Sequence, residues 1–144
     1  MPDHSLYAVY MGFKNRLTGT GSEVWGQRVA ASLIVSKSAY PYTIYFWSGG
    51  GAWNVSTSRD ADYNISVKCV ADKMSDAAIG AERISVLLDN KGRQDDGDDF
   101  VYGSSDWDIL TITEMEHIYF VEGTADTVPI YHYGAVYAVK MQHT

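Results

Sequence analysis

Only one cysteine, Cys69, stands among the 144 residues. No internal disulfide can form, and one thiol cannot build a cysteine-based metal cluster. Cys69 sits in an alternating stretch and reads as a small buried hydrophobe. A reactive thiol would need access and a lowered pKa, and no neighbour in the sequence argues for either. No apolar run approaches the ~18 residues of a membrane span, so no membrane partner is expected. The start, Met1-Pro2-Asp3-His4, is polar and no apolar leader core follows, so the chain is expected to be made and kept in a cytosol, or assembled from one.

Positive charge is scarce where negative charge gathers. Met1 to Leu88 carries eight Lys/Arg and seven Asp/Glu, whereas Asp89 to Thr144 carries three basic and eleven acidic residues within a net charge of -7. Such a C-terminal portion repels a phosphate backbone, which disfavours specific nucleic-acid binding but not passage of DNA past an acidic surface. The motifs of common enzyme classes are missing too. The sequence has no nucleophile elbow, Walker motif or dinucleotide fingerprint.

What the chain does have is order of a simple kind. Asp3 can cap a helix reaching about Leu17, with Leu6, Val9, Tyr10, Phe13 and Leu17 on one stripe and Lys14 and Arg16 suiting its C-terminal dipole. The run from Val24 to Ala39 is irregular, with one short element at Val29 to Val35 that periodicity assigns to neither strand nor helix. Pro41 then opens a strand, Tyr42 to Trp47, with bulk on both faces, as in a strand covered on two sides. Gly49-Gly50-Gly51 reads as a hinge.

Asp60 to Ala71 alternates: Tyr63, Ile65, Val67, Cys69 and Ala71 share one face, and Asp62, Asn64, Ser66 and Lys68 the other. A helix is expected from about Lys73 to Asn90, capped by Asp72 or Ser75. Ala77, Ala81, Ile84, Leu87 and Leu88 form its inner stripe, and Ala78, Gly80 and Ala81 leave it slim enough to pack closely on a sheet or a neighbouring subunit. Strands at Trp107 to Val121 and Val128 to Met141 close the chain around a turn at Gly123 to Asp126. Runs of this kind predict one α+β domain over residues 1–144: a mostly antiparallel sheet of about four strands with two helices on one face.

Candidate chemistry is thin. Asp95, Asp96, Asp98 and Asp99 crowd one loop, but Lys91 and Arg93 stand where a calcium loop needs oxygen ligands, and no Glu closes it. Alternation puts Glu114 and Glu116 on one face and His117 on the other, an arrangement equally typical of a solvated strand. His132, between Tyr131 and Tyr133, has no second histidine at ligand spacing. No catalytic, cofactor or metal residue is expected. Trp53 and the four aspartates are instead expected at a subunit or partner interface, because their polar segments, Ala52 to Arg59 and Arg93 to Ser104, are too long to belong to a core. Trp47 is expected there because a strand bulky on both faces needs a second cover from assembly.

The order of elements resembles the tail-terminator and tail-completion proteins of tailed bacteriophages. The likeness rests on the N-terminal helix, Arg28-Val29 in a variable segment, the Tyr40-Pro41-Tyr42 strand start, and the alternating strand ending near Ala71. The Ala-rich helix ending at Leu87-Leu88 and the final strand pair complete it, from Leu6 to Met141. The resemblance implies a non-enzymatic subunit of a ring, usually a hexamer, at the head-proximal end of the tail in the virion. It would be assembled in the host cytoplasm and would need no cofactor. Its implied partners are further copies of itself, the tail tube protein, and a head-tail connector or head completion protein, with DNA crossing the lumen without specific binding. Two other classes fit the composition: a β-rich carbohydrate- or ligand-binding module, given eleven tyrosines and four tryptophans, and a small α+β enzyme.

Overall fold

The computed structural model describes residues 5–17, 29–31, 41–52, 60–89, 107–123 and 128–143. These form helix α1 (Ser5–Leu17), strands β1 (Val29–Ala31), β2 (Tyr42–Ala52) and β3 (Asp60–Ala71), helix α2 (Met74–Leu88), and strands β4 (Trp107–Glu122) and β5 (Ile130–His143). The fold is α+β. One sheet runs in the order β1-β2-β3-β5-β4. Each neighbouring pair from β2 through β3 and β5 to β4 is antiparallel, and β1 is a short fifth strand lying parallel to β2.

Alternation in β3 translates directly into a buried face. Tyr63, Ile65, Val67, Cys69 and Ala71 are all buried, and so are Tyr137, Val139 and Met141 on β5 and Ile109 and Ile112 on β4. Both helices cover this face. α2 contributes Ala77, Gly80, Ile84, Leu87 and Leu88, and α1 contributes Val9, Phe13 and Leu17. α1 is anchored through rings: Phe13 and Tyr10 lie 6.2 and 5.4 Å from Tyr45 of β2. The Tyr45 hydroxyl donates to the Tyr10 carbonyl at 3.1 Å. Arg16 Nε donates to the Leu87 carbonyl at 2.9 Å, satisfying one of the carbonyls that a helix end leaves open.

Three sequence expectations change here. Gly49, Gly50 and Gly51 are not a hinge: β2 continues through them, paired with Asn64, Tyr63 and Asp62 after a bulge beyond Trp47. Gly50 has φ 84, and a Cβ there would run into the Asp62 carbonyl oxygen and lie 2.9 Å from Tyr63 Cα. The glycine therefore permits two backbones to approach. Second, neither Asp72 nor Ser75 caps α2. Its N-cap is Lys73, with no side-chain hydrogen bond, and Asp76 in the first turn meets the dipole instead. Third, β4 does not alternate throughout. Its register with β5 slips between Ile109 and Thr111 and again between Glu114 and Glu116, and each extra residue reverses the faces that follow.

Candidate assembly surface

Trp47 is the expected interface residue that the structure describes. It is 48% exposed, its backbone N–H donates to the Tyr10 hydroxyl at 2.8 Å, and its indole N–H turns back to the Gly49 and Gly50 carbonyls. Trp47 thus lies along its own strand with its ring presented outward. Trp53, Asp95, Asp96, Asp98 and Asp99 lie outside the described residues.

The bulge at Met115 re-sorts the acidic strand. Glu114 faces α2, opposite Tyr137, and Glu116 faces away, opposite Val136. His117 returns to the helix side, where its Nδ1 lies 3.5 Å from Glu114 Oε1. The paired face expected for Glu114 and Glu116 is therefore absent, because the bulge inserts one residue between them. Glu114 instead ties the helix to the sheet. Its Oε2 accepts from Ser85 Oγ at 2.8 Å, and its N–H donates to Asp89 Oδ1 at 3.0 Å. The buried Tyr137 hydroxyl joins this network, its ionisation pushed up by burial and by the Glu114 charge. The polar groups are used in mutual satisfaction across the helix–sheet seam.

The opposite face of the sheet is not covered by either helix. It divides along the strands. One half is a shallow polar trough of about 380 Å³ lined by Asp62, Asn64, Thr111, Thr113, Ala138 and Lys140. Tyr63 and Val139 also border it, but both side chains are buried on the helix side of the sheet. Among the described residues no exposed aromatic ring lines it to offer the stacking platform on which sugar rings settle. The other half is apolar. Phe46 of β2 and Phe120 of β4 flank Lys68 of β3, whose ammonium lies 5.8 and 4.8 Å from their ring centres. Gly134 of β5 is paired with Lys68, and its missing side chain leaves room for the lysine stem. His132 stacks on Phe120 with centroids 4.2 Å apart. None of these residues was expected to act together. The outward parity of His132 and Gly134 with Lys68 was in the sequence, but the neighbours of Lys68 depend on a strand order that the sequence does not state.

His132 is 8% exposed. Its Nε2 lies 3.5 Å from Glu122 Oε2, a charge contact only, and neither ring nitrogen is well hydrogen-bonded to a described partner. Burial, and then the Lys68 charge, pull its pKa below the usual imidazole value, while Glu122 opposes them. The unfolded chain takes up this proton near pH 6.5, whereas the folded chain does so only at lower pH. Between the two, the unfolded state binds more protons, so stability falls as pH drops below about 6.5. Urea melts at pH 7.5 and 5.5 should show a smaller loss for His132→Gln than for the natural chain. Equal losses would mean that His132 is not the titrating group.

One edge of the sheet is β4, with Met115, Tyr119, Phe120 and Val121 all exposed. Near its end Tyr119, Tyr131 and Tyr133 gather, with Tyr119 and Tyr133 centroids 4.6 Å apart. The hydrogen bond of the Tyr133 hydroxyl to Tyr119 is the chief cause of a Tyr133 pKa pushed up to about 12. An edge of this length carrying large apolar groups invites pairing unless something covers it. Among the described residues no group of three or more His, Cys, Asp or Glu is placed to hold a metal ion, and no helix is long and apolar enough to cross a membrane.

No protein-family model matches the chain, and no curated protein matches it in sequence. Among solved structures, the chain is similar in fold to a chain in the virion of a native gene transfer agent particle. The match has a TM-score of 0.61 at 15% identity and covers 96% of this chain and 95% of that one. At that identity the likeness is one of fold, and it extends over nearly the whole of both chains.

Proposed function

We propose that this protein is a non-enzymatic structural subunit of a phage-like virion. In this reading it forms a ring, a hexamer by the family resemblance, that terminates the tail tube at its head-proximal end and meets the head-tail connector or head completion protein. The observation that carries the reading is the end-to-end fold match to a chain of a gene transfer agent virion. The surface supports it independently. A single sheet with helices on one side leaves large apolar side chains in solvent, among them Phe120, Tyr119, Val121, Ile79 and Val86, and assembly is what covers such groups. The excess of acidic residues after Leu88 suits a lumen that lets DNA pass without holding it.

Negative-stain microscopy of the purified chain, alone and mixed with tail tubes, tests this. Closed rings, or a cap on one end of the tube, are the expected result. A chain that remains monomeric alone and never decorates a tube would overturn the reading.

A further inference from the structure

The two sides of the helix–sheet layer each carry an apolar surface with nothing described upon it. On one side is α2. Its inner stripe is buried, yet its outward stripe is apolar as well: Ala78 is exposed, and Ile79 and Val86 are each 56% exposed. A helix apolar on opposite faces is one meant to be buried on both. At 100° per residue, Glu82 falls in the middle of that outward stripe, between Ile79 and Val86, with Ser75 and Ala78 keeping the surface slim. On the other side is the sheet face away from both helices, where the exposed Phe120 and the half-buried Phe46, Ile118 and Val136 surround the half-buried Lys68, while Ser66, Val70 and His132 on the same face are buried. Glu116 and Glu122 stand at its rim on the edge strand.

We infer that α2 of one copy seats its outward stripe on the open sheet face of the next, with Glu82 meeting Lys68 between Phe46 and Phe120. This rests on the assembly reading above and assigns its interface. Three observations select a second copy as the occupant. Both surfaces lie on this chain. Each has a single charge inside its apolar area, and the two charges are opposite. The surfaces lie on opposite sides of one layer, so the contact is head-to-tail and continues from copy to copy until the rotation closes a ring. The slim helix lets its axis come close to the sheet, and Gly134 keeps the face low beside Lys68. A charge pair inside an apolar surround fixes register and is sensitive to reversal.

The test is sedimentation velocity of the full chain with Glu82→Lys, with Lys68→Glu, with both in one chain, and with the two single variants mixed. Each single reversal should weaken self-association by at least about tenfold, the order expected for a desolvated charge contact. The double variant should recover it. The mixture should recover it too, because reversed sheets meet reversed helices when copies alternate. Glu82 is exposed, so its reversal leaves the fold intact, which circular dichroism checks. Should Lys68→Glu fail to fold, Lys68→Met keeps the stem and replaces it. It should weaken assembly alone and regain it with Glu82→Leu. If the natural chain assembles and the single variants assemble equally well, this interface is wrong while the ring reading stands. If the natural chain is monomeric even at high concentration, this interface falls, and the ring reading falls with it only if the chain also caps no tube.

Discussion

Gly134→Ala is expected to cost more stability than its single added methyl suggests. A Cβ at Gly134 would press into the Val67 carbonyl oxygen and lie 2.5 Å from Lys68 Cα and 2.8 Å from Lys68 Cβ. The obstacles are chiefly backbone of the central strand β3, which cannot swing aside as a side-chain tip would. Overpacking costs about 1–3 kcal/mol where neighbours can shift. Here the upper end applies, about 3 kcal/mol, which lowers the melting temperature by roughly 6–12 °C for a chain of this size. Gly49→Ala is the control, since a Cβ there meets nothing nearer than Asn64 Nδ2 at 3.5 Å. Thermal melts of the two variants side by side decide the matter. Equal, small losses would show that β3 and β5 do not approach as closely as described. The same substitution should also loosen Lys68 from its place between Phe46 and Phe120, so the lesion reaches the proposed assembly face.

Phe13→Ala should be the second large lesion, at about 3–5 kcal/mol by urea unfolding, the usual range for emptying a buried phenylalanine site. Phe13 is fully buried and packs against Tyr45. Tyr10 also holds α1 to β2 through Tyr45 and Trp47, so the helix cannot shift freely to fill the cavity. Tyr7, 53% exposed on the same helix, provides the contrast: Tyr7→Ala should stay within about 0.5 kcal/mol. A loss below about 1 kcal/mol for Phe13→Ala would mean that α1 is docked loosely and does not seal the core.

Much of the fold was legible in the sequence where one pattern ran unbroken. The alternation from Asp60 to Ala71 marks β3 without a residue of error, because a strand buried on one face must repeat every two residues. The stripe of Val9, Phe13 and Leu17 marks α1 for the equivalent helical reason. Legibility failed where backbone geometry departed from the period. Nothing in Glu114-Met115-Glu116 announces a bulge, so the facing of the two carboxylates was inverted relative to one another. Gly49 to Gly51 reads as a hinge in one dimension, yet a neighbouring strand turns it into a ladder. Of the expected interface residues, Trp47 is exposed, and the others lie outside the described residues.

The amino-acid sequence by itself determined the α+β class, the two helices on one face, the buried role of Cys69 and the lack of disulfide chemistry. These follow from local period and from counting, and neither needs a partner strand to be known. Only the tertiary structure decided that Lys68 lies between Phe46 and Phe120, that His132 is buried against Phe120, and that α2 is apolar on the side away from its sheet. The first two depend on strand order and on the bulges of β4, and the third on which side of α2 meets the sheet. The contacts join residues 12 to 52 positions apart, and a one-dimensional period carries no information about such neighbours.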